Sequence, residues 1–96
     1  PLLLQDHLSR LAQRHSARMA NQNRLFHTPC LSCRFRSESW RALAENVGMA
    51  GSVRRVHRLM MRSAGHRRNV LGGFDAIGIG VVSRGGRHWV TQIFYA

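Results

Sequence analysis

The sequence contains no lysine. All fifteen of its basic side chains are arginine, set against only four acids, for a formal charge of +11. Arginine's planar fork suits phosphate and carboxylate, so a polyanion or an anionic surface is a candidate partner. The plainer account is codon usage that places arginine on solvated helix faces, and that account carries more weight. Two cysteines are too few for a disulfide framework. No apolar run approaches the ~20 residues of a membrane span, and Pro1-Leu2-Leu3-Leu4 is too short for a signal-peptide core. Repeats and low-complexity tracts are missing too. So are aromatic platforms among the basic residues, which argues against specific nucleic-acid recognition. The chain starts at Pro1 without a methionine, which implies an N-terminally truncated piece of a longer or processed protein.

What is present is a foldable chain: 96 residues, 44% hydrophobic, enough for one domain over 1–96 with a modest core. Asp6 is placed to cap a helix starting at His7. Leu4, Leu8, Leu11, Ala12, His15 and Met19 form one apolar stripe, with Arg10, Arg14 and Arg18 on the opposite face. Asn21-Gln22-Asn23 ends that helix, leaving Leu25 and Phe26 to pack and His27 to project. Residues 28–41 read as loop, and Leu43 to Val47 as a short strand carrying Glu45. Ser52 caps a helix over 53–62, with Val53, Val56 and Met60 inward and Arg54, Arg58 and Arg62 outward. Ser63-Ala64-Gly65 breaks it, His66 opens a single turn, and Gly72-Gly73 closes that turn.

The period then changes from helical to alternating. Residues 76–82 and 89–95 alternate around Arg84-Gly85-Gly86-Arg87 and predict an antiparallel hairpin. Gly78 and Gly80 leave one strand face bare, so another element can approach closely there. With no third glycine and no following helix, Gly78-x-Gly80 is not a dinucleotide loop. The element order predicts an α+β fold, a small antiparallel sheet with helices packed on it.

With these elements placed, the sequence resembles the CAP superfamily, in its compact bacterial branch. This is the SCP-like extracellular domain of cysteine-rich secretory, antigen 5 and pathogenesis-related class 1 proteins. The resemblance rests on residues 12–20 running on to His27, on Glu45-Asn46-Val47-Gly48, and on Met61 through Leu71. Gly78-Ile79-Gly80-Val81 and Trp89 through Phe94 complete it. It implies a three-layer α-β-α sandwich and the absence of the family's first helix, which leaves sheet or helix surface exposed. It also implies a cleft with two histidines and two acids. By motif His27 and His66 are the histidines and Glu45 one acid, while the position of the other acid holds Ser63. Asn46, Arg67 and Asn69 are expected to hold the backbone turns that orient these groups.

Two imidazoles and a carboxylate suit zinc or a similar divalent ion. The alternative is that Glu45 accepts backbone N–H bonds while the histidines fill the cleft. His15, on the apolar stripe, reads as a satisfied core histidine; His7, His57 and His88 have no partner legible in sequence. His27-x-x-Cys30-x-x-Cys33 has metal-like spacing, but a lone CxxC is weak and a local disulfide or two free thiols fit better. The leading expectation is therefore an extracellular or cell-surface binding module for small lipophilic or sterol-like ligands or partner proteins. A metal-assisted hydrolase using His27, Glu45 and His66 is the second reading, with catalysis less favoured because of Ser63. The third is a basic adhesion module for anionic envelope polymers or lipid headgroups, using Arg10, Arg14, Arg18, Arg54, Arg58 and Arg62.

Overall fold

A computed structural model describes residues 2–36 and 38–96; Pro1 and Ser37 lie outside the described residues. The elements in order are β1 (Leu3–Leu4), α1 (Asp6–Gln22), a 3-10 turn η1 (Leu31–Phe35) and β2 (Leu43–Ala50). After them come α2 (Val53–Arg62), α3 (Ala64–Leu71), β3 (Ala76–Arg84) and β4 (Arg87–Tyr95). The sheet order is β1-β3-β4-β2, antiparallel among the three long strands, with β1 adding a short parallel edge beside β3.

Helix α1 lies on one face of the sheet because β3 presents glycines to it. A Cβ on Gly78 would sit 2.2 Å from the Leu8 backbone, and one on Gly80 2.2 Å from the Gln13 backbone. The bare strand face expected at these glycines is thus filled by a helix backbone. Polar side chains of α1 then serve the strand: Ser16 Oγ donates to Gly80 O and Gln13 pairs with both N–H and C=O of Val81. This covers backbone groups of β3 beyond the reach of two-residue β1. Leu8, Ala12, Phe35, Ala76 and Ile93 make the core below α1, joined by a second cluster around Met19, Val47 and Trp89.

The other face carries α2 and α3. Val56 and Met60 pack on Ala50 and Val90. Gly48 admits α2 closely, since a Cβ there would lie 2.9 Å from Val56. The result is the α-β-α sandwich that the resemblance implies, in keeping with the α+β element order. Ser52 caps α2 as expected, its side chain accepting from Arg55 N–H. Gly85 and Gly86, both at positive φ, form the two-residue hairpin turn.

Several expectations need correction. Asp6 is the first residue of α1, and Gln5 stands at the cap position without a side-chain bond. Leu4 leaves the helix stripe because it pairs with Ile77 in β1. Strand β2 runs on to Ala50, since its ladder with β4 continues through Gly48 to the Ala50–His88 pair. Val53 is exposed, being in the first turn of α2 and outside the contact with the sheet. Ser63 alone separates the helices, so His66 lies inside the eight-residue α3 and opens no single turn. Residues 28–41 are more than loop: η1 drops Phe35 fully into the core. Arg18 is half-buried and donates to His15. Leu3, Leu4 and Ile79 are exposed around the β1–β3 edge.

Candidate functional site

The site is built around β2, an edge strand bonded only to β4. Successive side chains of a strand point to opposite faces. Glu45 and Val47 therefore face α1, while Asn46 and Gly48 face α2 and α3. This alternation divides the sequence-predicted residues into two groups.

On the α1 side, helix α1 ends at Asn23 in a left-handed conformation, and the chain returns along β2. His27 Nδ1–H donates to Glu45 Oε1 at 2.8 Å. Thr28 donates its backbone N–H to the same oxygen at 2.8 Å and its hydroxyl to Glu45 Oε2. The carboxylate is buried and held from three sides, while the His27 ring is 64% exposed. Its Nε2, on the far side of the ring, is the atom left for other chemistry. This dyad can orient an imidazole for proton transfer. The hydroxyl that reaches it is committed to Glu45, however, so Thr28 is no nucleophile in this arrangement.

His15 sits behind the pair, fully buried. Its Nε2–H donates to Phe26 O, and its Nδ1 accepts from Arg18. Both ring nitrogens are satisfied, as expected of a core histidine. Burial holds its pKa below the ordinary value of 6.5, opposed by the Phe26 carbonyl and Glu45 and assisted by Arg18 and His27.

On the other side Asn46, 0% exposed, is a hub. Its Nδ2 donates to His66 O and to Gln92 Oε1, each at 3.1 Å, and its Oδ1 accepts from Asn69 at 2.9 Å. Two of the expected supporting residues, Asn46 and Asn69, thus meet and fix α3 to the sheet. Arg67 is exposed and its backbone N–H donates to Ser63 O. Ser63 joins α2 to α3 beside His66.

The His66 side chain enters a groove of about 190 Å³ that runs along β2. Leu25, Val47, Met49, Val56 and Leu59 give it an apolar wall, with Ser63 on its rim. His66 lines this groove, and its Nδ1 is buried without a hydrogen-bond partner, the only such side-chain atom among the described residues. Leu25 and Val47 are each two residues from a member of the His27–Glu45 pair, so the groove begins beside the dyad.

A zinc site needs three or four donors around one point. Among the described residues no group of three His, Cys, Asp or Glu side chains gathers in that way. Glu45 belongs to His27 and Thr28, and His66 is held from the other face of the strand. As arranged, the donors do not fit a three-ligand centre.

Cys30 and Cys33 are joined in a local disulfide. His7 and His88, without partners legible in sequence, lie beside Glu38 and Ser83 respectively. Arg10, Arg14, Arg54, Arg58 and Arg62 are exposed. Thr28 escaped the sequence reading, although a hydroxyl directly after His27 was its one available signal. The half-exposed Leu59 was equally unmarked.

The pattern of the cysteine-rich secretory protein family (CAP) matches residues 1–94. Among solved structures, an outer surface protein from Borrelia burgdorferi superposes with TM-score 0.86 at 17% identity, covering 98% of this chain and 76% of that one. An extracellular protein containing a SCP domain from Bacillus anthracis gives TM-score 0.80 at 25% identity, with 98% and 33% covered. A cysteine-rich secretory protein from Staphylococcus aureus gives TM-score 0.74 at 25% identity, with 99% and 32% covered. This chain spans about a third of the length of the last two proteins. No curated protein sequence matches it closely enough to add to this. The likeness to the Borrelia protein speaks to the fold, and the match over residues 1–94 speaks to the family. The chain belongs to the cysteine-rich secretory protein family, CAP.

Proposed function

We infer that this chain is an extracellular CAP-type binding module whose groove beside β2 takes a small lipophilic molecule. The extracellular and secretory relatives support the location. No helix among the described residues is long and apolar enough to cross a membrane. The observation that carries the ligand reading is His66 Nδ1, a buried polar atom without a partner on a residue that lines a mostly apolar groove. Leaving such an atom unpaired costs about 1–3 kcal/mol, which a ligand hydroxyl or acid would offset. An apolar body with one polar group matches walls of that composition. Ser63 stands where the family resemblance expects an acid, which favours binding over acid/base catalysis.

Calorimetric titration with decanol tests this on the wild type and on His66→Phe, which keeps a ring and removes its nitrogens. Decanol is expected to bind the wild type, and the variant about fivefold more weakly, the worth of one hydrogen bond. Equal affinity in the two proteins would remove His66 from the site.

A further inference from the structure

The Cys30–Cys33 disulfide has surroundings unlike those of a structural staple. A staple stabilises chiefly by restricting the unfolded chain, and its effect falls as the closed loop shortens. Here the loop is just Cys30-Leu31-Ser32-Cys33, and the chain on either side is already anchored. Thr28, shortly before Cys30, is buried and donates to both oxygens of Glu45. Phe35, shortly after Cys33, is fully buried in the core. A backbone bond from Cys33 N–H to Cys30 O closes the turn as well. Little is left for a crosslink to hold.

The two sulfurs are not equivalent. Cys30 is exposed and Cys33 half-buried. Arg36 Nη2–H donates to Cys33 Sγ at 3.4 Å. None of the ion pairs among the described residues engages Arg36, and the sequence has no acid between Asp6 and Glu38. A guanidinium beside a sulfur stabilises its thiolate, and the sulfur with the more stable thiolate leaves faster. Cys30 also stands at φ 47°, a left-handed conformation that crowds any residue with a Cβ. Opening the bond frees Cys30 to leave that conformation.

We propose that Cys30 and Cys33 form a thiol–disulfide exchange site that oxidises a dithiol. A substrate thiolate attacks the exposed Cys30 Sγ. A bond forms between those sulfurs as the Cys30–Cys33 bond breaks, and the electron pair leaves on Cys33 Sγ, beside Arg36. The second substrate thiolate then attacks the first substrate sulfur, which closes the substrate disulfide and releases Cys30 as a thiolate. The protons lost by the substrate thiols pass through water to Cys30 and Cys33. The substrate has given up two electrons and the cysteine pair has taken them. A small-molecule disulfide runs the same steps in reverse and restores the oxidised pair. In βαβ redox folds a helix start activates the CxxC pair; here Arg36 supplies the positive field.

The test treats the oxidised chain with 2-mercaptoethanol, quenches early with iodoacetamide and maps the cysteines by peptide mass. Mercaptoethanol is expected on Cys30 and the alkyl group on Cys33. The reverse placement overturns the proposal. Arg36→Gln should slow this step about threefold, the worth of one exposed charge contact. Arg68→Gln, the same change of charge at an exposed position in α3, should leave the rate as it is. Equal rates in the wild type and Arg36→Gln would also overturn the proposal. Without denaturant, each chain should convert a dithiothreitol molecule to its cyclic disulfide while its circular dichroism holds. A bond that opens only after urea unfolds the chain is a structural staple, and that result overturns the proposal as well.

Discussion

At the scale of single residues, His15 shows how a side chain can belong to the core and still affect the site. Burial keeps its imidazole neutral, with one nitrogen donating to Phe26 O and the other accepting from Arg18. A histidine whose folded pKa lies below 6.5 binds fewer protons folded than unfolded in that interval. Its contribution to stability is therefore fully present above the unfolded pKa and is lost as pH falls from there through the folded value. Urea unfolding at a series of pH values should show stability declining below about pH 6.5 in the wild type. His15→Gln should flatten this slope, and an unchanged slope would place the sensitivity in another histidine. His15 was legible in the sequence because it sits on an apolar stripe, as were His27 and Glu45 from their motifs. Thr28 was not, because a loop hydroxyl has no periodicity to betray it. The orphaned Nδ1 of His66 was illegible for a different reason: only tertiary packing decides whether a ring nitrogen finds a partner.

At the scale of elements, long periodic segments were readable and short ones were not. The cap at Ser52 and the stripe of Val56 and Met60 fixed α2 to its observed bounds. The glycine turn located the hairpin. Strand β1 has two residues and η1 five, too few for any hydrophobic period to register. Both owe their shape to contacts made far along the chain, β1 to β3 and Phe35 to the core under α1. The junction of α1 with β3 is the tightest in the fold, and Gly80→Ala tests it. Its new Cβ would meet the backbone of Gln13, which no rotamer change can relieve. A loss of about 3 kcal/mol or more in urea unfolding is expected, at the upper end for overpacked cores. A near-neutral change would mean that α1 rides higher on the sheet.

At the scale of the whole molecule, the sandwich leaves β2 as an edge strand whose two faces meet different layers. Adjacent residues Glu45 and Asn46 face different layers, so the His27–Glu45 pair and the Asn46–His66 network arise on opposite sides of one strand. The resemblance implied one cleft for these residues, and strand alternation divides them between two faces of β2. The groove at that edge joins apolar side chains from α2 and β2 to the half-buried His66. The most direct measurement of ligand capture at His66 is the nitrogen NMR signal of its side chain as decanol is added. The Nδ1 resonance should move as that atom gains a hydrogen bond, with the Leu25 and Met49 signals moving alongside it. Decanol that binds elsewhere, leaving the His66 nitrogen unmoved, would contradict capture in this groove.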